Sequence, residues 1–522
     1  MSLRDLPIFR WLARLPRQIR GVSPFDGDIQ PTRVPLFAPG AGRPTLPFPH
    51  PWNYDRPIEI LESFFWGDGA ESEQGGGKHN RYLSVPGFSP VLVTRDPGLI
   101  RAITTATSDQ AGDFDRDTLP STGIARATGA DTLLYSNGSI WKRQRKLAAP
   151  PFGKTTLFQP EMFHEFEATF RRTVSERLDV LRNYLATSGQ HEYRVQMEPE
   201  IKAVMLEMLA NNFFGAEISY EEIRDRYVPA LERVINYIVR DTVTNKLGIP
   251  VSKWPSLTRS IAQAKEDFAC FEQLTDLVLA PRKGGRGLWR QFKSDAPDEL
   301  LRSNLKVFLA GALEATTSFA TWAIAHLARH AEAQEKVLSD VREIEDYSPE
   351  NLARTRYFDA VLNETLRLTP SLYFLPRRAT ADTLVSTADG RTLRLPQGTH
   401  ILLDVWHANR HEDHWGVAVS GYPAGDFAPE RWARLAEQGR DSKEILHFGF
   451  GHGPRVCPGK HLGQLEVALV VGAFVKMFKF RAVKPEYSIK AGVSTKPADG
   501  TLVDLQLREP YEAAANFVAS RG

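Results

Sequence analysis

The sequence predicts a mainly α-helical fold carrying small β-sheets, and three observations predict it. Apolar residues recur at three- and four-residue spacing from Glu161 to about Ala280, the repeat of helices with one buried face. A second helical run, from about Pro297 to His330, is longer than an ordinary surface helix and reads as the spine of a core. The strand-like runs are short and bounded by turn residues, as in Thr392–Leu395 and His400–Val405 with Gln397-Gly398 between them.

In chain order, residues 1–20 carry Leu3, Leu6, Ile8, Phe9, Trp11, Leu12 and Leu15, interleaved with Arg4, Arg10, Arg14, Arg17 and Arg20. Such a basic amphipathic segment is expected to be a helix on its own domain; resting on an anionic membrane surface and organelle targeting are the alternatives. Residues 21–55 are rich in proline and glycine and are expected to meander. The chain thus divides into an N-terminal extension, 1–55, and one large domain, 56–522. Pro57 to Trp66 reads as a helix, Arg81 to Thr94 as two strands turning at Pro86-Gly87, and Asp96 to Thr104 as a helix. Thr105 to Tyr135 reads as a long irregular stretch holding Phe114, Leu133 and Leu134, and loops of that length are usually functional. The helical region after it breaks at Ser188-Gly189, at Gly215 and across Gly248 to Pro255. Ala491 to Leu507, with Asp499-Gly500, reads as a closing hairpin.

Composition narrows the function classes. Of 522 residues, 42% are hydrophobic and 25% charged, the balance of a globular protein, and a net charge of +2 argues against nucleic-acid binding. Two cysteines far apart, Cys270 and Cys457, do not make a disulfide framework and fit a reducing, cytoplasmic setting. The longest apolar run, Val467 to Val475, falls short of the roughly 18–20 residues that cross a bilayer.

The chemistry concentrates at Phe450-Gly451-His452-Gly453-Pro454-Arg455-Val456-Cys457-Pro458-Gly459, which leads into the helical pattern from Leu462 to Phe478. Cys457 stands just ahead of a helix N-terminus, where unpaired amides and the helix dipole favour a thiolate. Gly451, Gly453 and Gly459 let the backbone approach a flat partner. Trp141 and Arg145 share a helix face, with Lys142, Arg143 and Lys146 around them. Glu364 and Arg367 are three apart on an apolar helix, and Asp426-Phe427-Ala428-Pro429-Glu430-Arg431-Trp432 follows some way on. The long helix carries Ala310-Gly311-Ala312-Leu313-Glu314-Ala315-Thr316-Thr317-Ser318 at its centre. Cys270, in an ordinary helical run, is given no role.

In this order and spacing, over roughly residues 57–510, these motifs resemble the cytochrome P450 family. The resemblance implies the P450 fold and a b-type haem whose iron is ligated by Cys457. It implies that Trp141, Arg145, Arg377 and Arg455 hold the propionates, that Phe450, Gly451 and Gly459 shape the cofactor loop, and that Glu364, Arg367 and Arg431 form a structural network. It implies that Thr316, with Glu314 and Thr317, handles protons at the distal side. The family pattern is Ala-Gly-x-acid-Thr-Thr; here either Glu314 is the acid with Ala315 in the threonine's place, or Thr316 is the threonine with Ala315 in the acid's place. By the same resemblance Phe114, Leu133, Leu134, Ala312, Leu372, Tyr373, Phe374 and Leu375 line the substrate pocket. The activity implied is a monooxygenase acting with O2 on an apolar substrate, by hydroxylation or epoxidation. Electrons would come from a ferredoxin, flavodoxin or reductase partner docking on the basic surface around Lys142 and Lys146. A peroxygenase or an isomerase or dehydratase on the same fold is the alternative.

His407, His411 and His414 offer a rival metal reading, a zinc hydrolase. The zinc-protease helix needs His-Glu-x-x-His; His411-Glu412-Asp413-His414 is one residue short, and His407 lacks the adjoining glutamate.

Overall fold

The computed structural model describes residues 18–22, 31–35, 57–63, 65, 79–83, 89–107, 112–118, 122–188, 191–245, 248–284, 289, 298–387, 390, 392–440 and 447–508. The chain forms two compact units, Met1–Pro120 with Phe374–His407, and Ser121–Tyr373 with Ala408–Gly522.

In the first unit, strands β1 (Gln18–Val22) and β2 (Pro31–Pro35) pair antiparallel, Ile19 opposite Val34. The expected helix and meander are therefore replaced by a strand pair at these residues. Residues 1–17 of the basic segment and the Pro86-Gly87 turn lie outside the described residues. The main sheet has the order β3 (Asn80–Leu83), β4 (Val91–Thr94), β10 (His400–Leu403), β7 (Leu375–Ala379), β5 (Phe114–Asp115). Only β4 and β10 run parallel. Leu92, Val93, Ile401 and Leu403 are fully buried, as expected where an apolar run forms a central strand. The helix Pro97–Thr105 starts where the sequence signals it: Asp96 Oδ1 accepts from Gly98 N at 2.8 Å, and proline follows the cap.

The second unit is built on the helix Asp298–Leu327, which packs against helices Met197–Glu207 and Lys460–Met477. Among the described residues it is the one helix long and apolar enough to cross a membrane, yet most of it lies in the core. Helix Pro160–Thr187 ends at the expected break, and Gly215 takes a φ of 76° after the π-helical Met208–Phe213, a left-handed turn that favours glycine. A three-stranded sheet has the order β11 (Phe478–Ala482), β14 (Leu502–Leu507), β6 (Tyr193–Gln196). The closing hairpin is made by β12 (Ile489–Ala491) and β13 (Thr495–Pro497), with its tip at 492–494. Asp499-Gly500 instead turns the chain into β14, whose partners are β11 and β6. The strands β8 (Thr383–Ser386) and β9 (Thr392–Leu395), in the first unit, pair with each other.

The stretch 105–135 is less irregular than expected. It holds β5 in the first unit and, in the second, a helix over Thr122–Thr128 that is pinned from outside by the Arg126–Asp241 ion pair and by Gly123 N donating to Thr242 Oγ1.

Candidate active site

The loop before helix Lys460–Met477 is folded on itself by its own amides. Gly451 N donates to Phe448 O at 2.8 Å, Cys457 N to Phe450 O at 2.9 Å, and Val456 N to Gly453 O at 3.0 Å. Gly451 and Gly453 take φ values of 74° and 70°, in the left-handed region where a Cβ is disfavoured. The Cys457 side chain presents free surface although the residue is deeply enclosed. That enclosure pushes its thiol up; the Gly459 N–H, Arg145 and Lys460 pull the other way.

Two arginines brace this loop. Arg145 Nη1 donates to Val456 O at 2.8 Å. Arg455 donates to Ser136 O at 2.9 Å and to Asn137 Oδ1 at 2.8 Å, and its guanidinium lies 4.1 Å from the centre of the Trp141 ring. Trp141 is buried, while Lys142, Arg143 and Lys146 on the same helix are exposed. A free-surfaced thiol, two guanidiniums and an indole, with no Cβ at Gly451 or Gly459, suit an iron porphyrin with acidic side groups. Phe450 packs edge-on against Phe319 of the central helix. Arg377, on β7 of the other unit, is buried.

The central helix has one open face. Gly311 and Ala315, one turn apart, are exposed and Ala312 between them is half-buried, whereas every residue from Thr316 to Leu327 is buried. Ala315 thus stands on the open face, and Glu314 does not. Thr316 donates its Oγ1 hydrogen to Ala312 O, and its methyl faces Gly463, where a Cβ would lie 3.4 Å away. Thr317 is buried, and its hydroxyl has no partner among the described residues. Glu314 is buried with both oxygens engaged, accepting from Lys496 Nζ at 2.8 Å and Ser494 Oγ at 2.7 Å. Burial alone pushes its carboxyl up, but Lys496 and Ser494 outweigh that and hold it below the usual carboxylate range.

Glu364, Arg367 and Arg431 meet with no exposure at all. Arg367 forks onto Glu364 at 2.8 Å through both Nε and Nη2, and Arg431 Nε reaches it at 3.2 Å. The remaining guanidinium hydrogens go to backbone carbonyls of Asn409, Ala424, Asp426, Pro423, Trp415 and Tyr422 and to the Ser420 hydroxyl. Ala428 N and Trp432 Nε1 complete the carboxylate. This cage fixes the segment that leads to the cysteine loop.

Other expected pocket residues divide. Leu372 is 44% exposed, Leu134 is half-buried and Leu133 is buried, its N–H donating to Asn304 Oδ1 on the central helix at 2.9 Å. Tyr373 is buried with its hydroxyl on Gly492 O at 2.8 Å. In the other unit Phe114 and Leu375 are buried in the sheet and Phe374 is half-buried.

Sequence reasoning missed His447. Its Nδ1 accepts from Gly449 N at 3.1 Å, its carbonyl accepts from Asn409, and a Cβ on Gly449 would lie 2.9 Å from that ring nitrogen. Burial, aided by Lys460 and Arg367, lowers its pKa to about 4, so the ring is a neutral acceptor that shapes the entry to the loop. It also missed Glu466, fully enclosed on the helix after Cys457, whose Oε1 has no partner among the described residues and whose carboxyl burial pushes up to about 8.

Two histidines of the rival reading, His407 and His411, have other partners. His407 Nδ1 lies 2.7 Å from Asp404, a carboxylate that also accepts from Arg95 and is held at about 2. His411 caps the turn Glu412–Trp415 through Asp413 N.

The cytochrome P450 family model matches residues 80–502, so the chain belongs to the cytochrome P450 family. It is an oxidoreductase of the monooxygenase class with a haem-thiolate cofactor, O2 as co-substrate and an outside source of electrons, and not a zinc hydrolase. Among its relatives are cytochrome P450 734A6 of Oryza sativa subsp. japonica, 26% identical with 76% of this chain and 73% of the relative covered, and 11-oxo-beta-amyrin 30-oxidase of Medicago truncatula, 23% identical with 77% and 75% covered. Ganoderic acid synthetase CYP5150L8 of Ganoderma lucidum is 26% identical, with 72% and 78% covered.

Proposed function

We propose that this protein inserts one oxygen atom from O2 into a C–H or C=C bond of an apolar small molecule, with electrons from a separate redox partner. The observation that carries the reading is the open face of the central helix, which is lined by Gly311, Ala312 and Ala315 and offers no charge to a bound molecule. When bound, the haem supplies the oxygen-activating chemistry, its electronics set by thiolate ligation.

The chain's own residues do the rest. Cys457 would be the ligand, held by the Phe450 carbonyl and the Gly459 amide region; Trp141, Arg145 and Arg455 would take the propionates. Thr316 sits at the edge of the open face with a hydroxyl able to release its bond to Ala312 O and hold a proton there. Leu372, Leu134 and Ala312 provide apolar contact. Lys142, Arg143 and Lys146, exposed on one helix, offer a cationic surface to an acidic electron donor. The chain is proposed to work in the cytoplasm or at a membrane surface reached through its N-terminal segment.

Ala315 on the open face, where the family pattern has an acid, favours a second reading: a peroxygenase, isomerase or dehydratase. Turnover separates them. A monooxygenase needs reductant and O2; product formed with peroxide alone, or with neither, would replace the first reading by the second.

A further inference from the structure

The carboxylate displaced from the open face is one end of a buried row of alternating charge. Glu314 pairs with Lys496 at 2.8 Å; Lys496 Nζ is 3.7 Å from Glu198 Oε1; Glu198 is 2.5 Å from Lys202 Nζ; and Lys202 also pairs with Glu232 at the rim. Glu314, Lys496 and Lys202 are buried. The row therefore reaches outward from the central helix, through the hairpin and the helix Met197–Glu207.

Lys496 is flanked by a dense set of hydrogen bonds, all but the first between neutral groups. Ser494 Oγ donates to Glu314, Ser318 Oγ to Thr495 O at 2.6 Å, and Trp322 Nε1 to Thr495 Oγ1 at 3.1 Å. Thr495 N donates to Ser371 O at 3.0 Å and Thr495 Oγ1 to Pro370 O at 2.9 Å. Ser371 Oγ donates to the carbonyl of Ala315, the residue on the open face, and Tyr373 to Gly492 O. The hairpin tip, the segment Pro370–Tyr373 and the central helix are thereby set against one another around the open face. Neutral bonds can be exchanged with water one at a time; a buried carboxylate cannot lose its ammonium without a large desolvation cost. The charged pair joins the hairpin to the central helix, and the neutral bonds hold the segment Pro370–Tyr373 against both.

We propose that Glu314 and Lys496 are specificity-determining positioning residues. Their ion pair locks the hairpin tip and the segment Pro370–Tyr373 onto the central helix, and so fixes the wall beside which the substrate lies. Glu314 thereby serves the shape of the pocket, and the proton work falls to Thr316 and water. This inference rests on the haem-oxygenase reading above.

The test uses the haem-loaded full chain and two probes that ligate haem iron: imidazole, too small to reach far beyond the metal, and 4-phenylimidazole, whose ring needs the surrounding wall. Variants are Glu314→Gln, Lys496→Met and the exchange Glu314→Lys with Lys496→Glu; Ser494→Ala removes one hydroxyl bond to the carboxylate without changing a charge and keeps the experiment available if the charge variants do not fold. Hydrogen exchange at 489–497 is read alongside. The expected result is a loss of about tenfold in 4-phenylimidazole affinity for the single variants, with imidazole changed less than about twofold. Faster exchange at the hairpin tip accompanies it, the exchanged pair recovers part of both, and Ser494→Ala shows the same pattern more weakly. Unchanged affinity for both probes with only a lowered melting temperature would overturn the proposal. So would a loss of turnover in Glu314→Gln alone with probe binding intact, the behaviour of a proton donor. A native chain in which imidazole produces no spectral change would instead defeat the haem reading itself.

Discussion

Glu364 and Glu314 are both buried carboxylates on helices, yet they do different work because their partners differ. Glu364 is enclosed by two guanidiniums, an amide and an indole N–H, with no open surface near it. Glu314 has one ammonium, from strand β13, and one hydroxyl, from the hairpin tip, and sits one residue from the open face at Ala315. A planar, bidentate cage makes a carboxylate a fixture of the fold. A single flexible lysine makes it a joint between elements. A third buried acid, Glu466, has no cation beside it among the described residues, and its carboxyl is pushed up to about 8.

The comparison is sharpened most by Glu364→Ala. It strands two buried guanidiniums, and a loss of about 3–5 kcal/mol in unfolding free energy is expected by the measured behaviour of broken buried pairs. Denaturant melts of the haem-free chain would measure it; a loss under about 1 kcal/mol would mean the cage is replaceable. Glu466 gives the opposite sign. Its folded pKa lies above the ordinary value of 4.5, so its contribution is fully present below pH 4.5 and is lost as pH rises toward 8. Glu466→Gln should remove that slope and stabilise the chain at pH 8 by up to about 4 kcal/mol, the equivalent of the shift. Melting temperatures of both chains across pH 5 to 9 decide this, and parallel profiles would break the contrast with the paired acids.

His447 sharpens the acid side. Its folded pKa of about 4 lies below the ordinary 6.5, so stability is intact above pH 6.5 and falls as the pH drops toward 4, where the unfolded chain takes a proton that the folded ring refuses. The loss from this one group is about 3 kcal/mol over that interval. His447→Gln should flatten the acid limb of the profile, and an unchanged limb would assign it to other groups. The smallest expected effect is at the surface: Lys142→Ala with Lys146→Ala should move stability by less than about 0.5 kcal/mol. The same change should weaken capture of an acidic electron donor several-fold at low salt, an effect that fades as salt rises. Reduction rates across a salt series measure it, and rates equal to native at low salt would remove this helix from the docking surface.

What was legible in the sequence was local. The cysteine loop carries its glycines, arginine and thiol within one short segment, and Glu364 and Arg367 stand a helical turn apart. The helix cap at Asp96 and the breaks near Ser188 and Gly215 are local signals too. What was not legible depends on residues far away in the chain. Glu314 finds its partners 180 and 182 positions later, on a hairpin whose register no local pattern fixes. The helix Thr122–Thr128 lies in a stretch of turn-forming residues and is held by Asp241 and Thr242. His447 looks like any loop histidine until Gly449 and Asn409 fold against it. The open face at Gly311 and Ala315 needed the whole second unit to bury the other sides of the helix.

The central claim is that Cys457 ligates the haem of this chain. The most direct measurement is the absorption spectrum of the reduced carbonyl complex of the native protein beside Cys457→Ser and Cys457→His. The native chain should show the red-shifted band of thiolate ligation, with one haem per chain, and both variants should lose that band while Cys457→His retains haem. A thiolate-type band that survives in both variants would contradict the assignment.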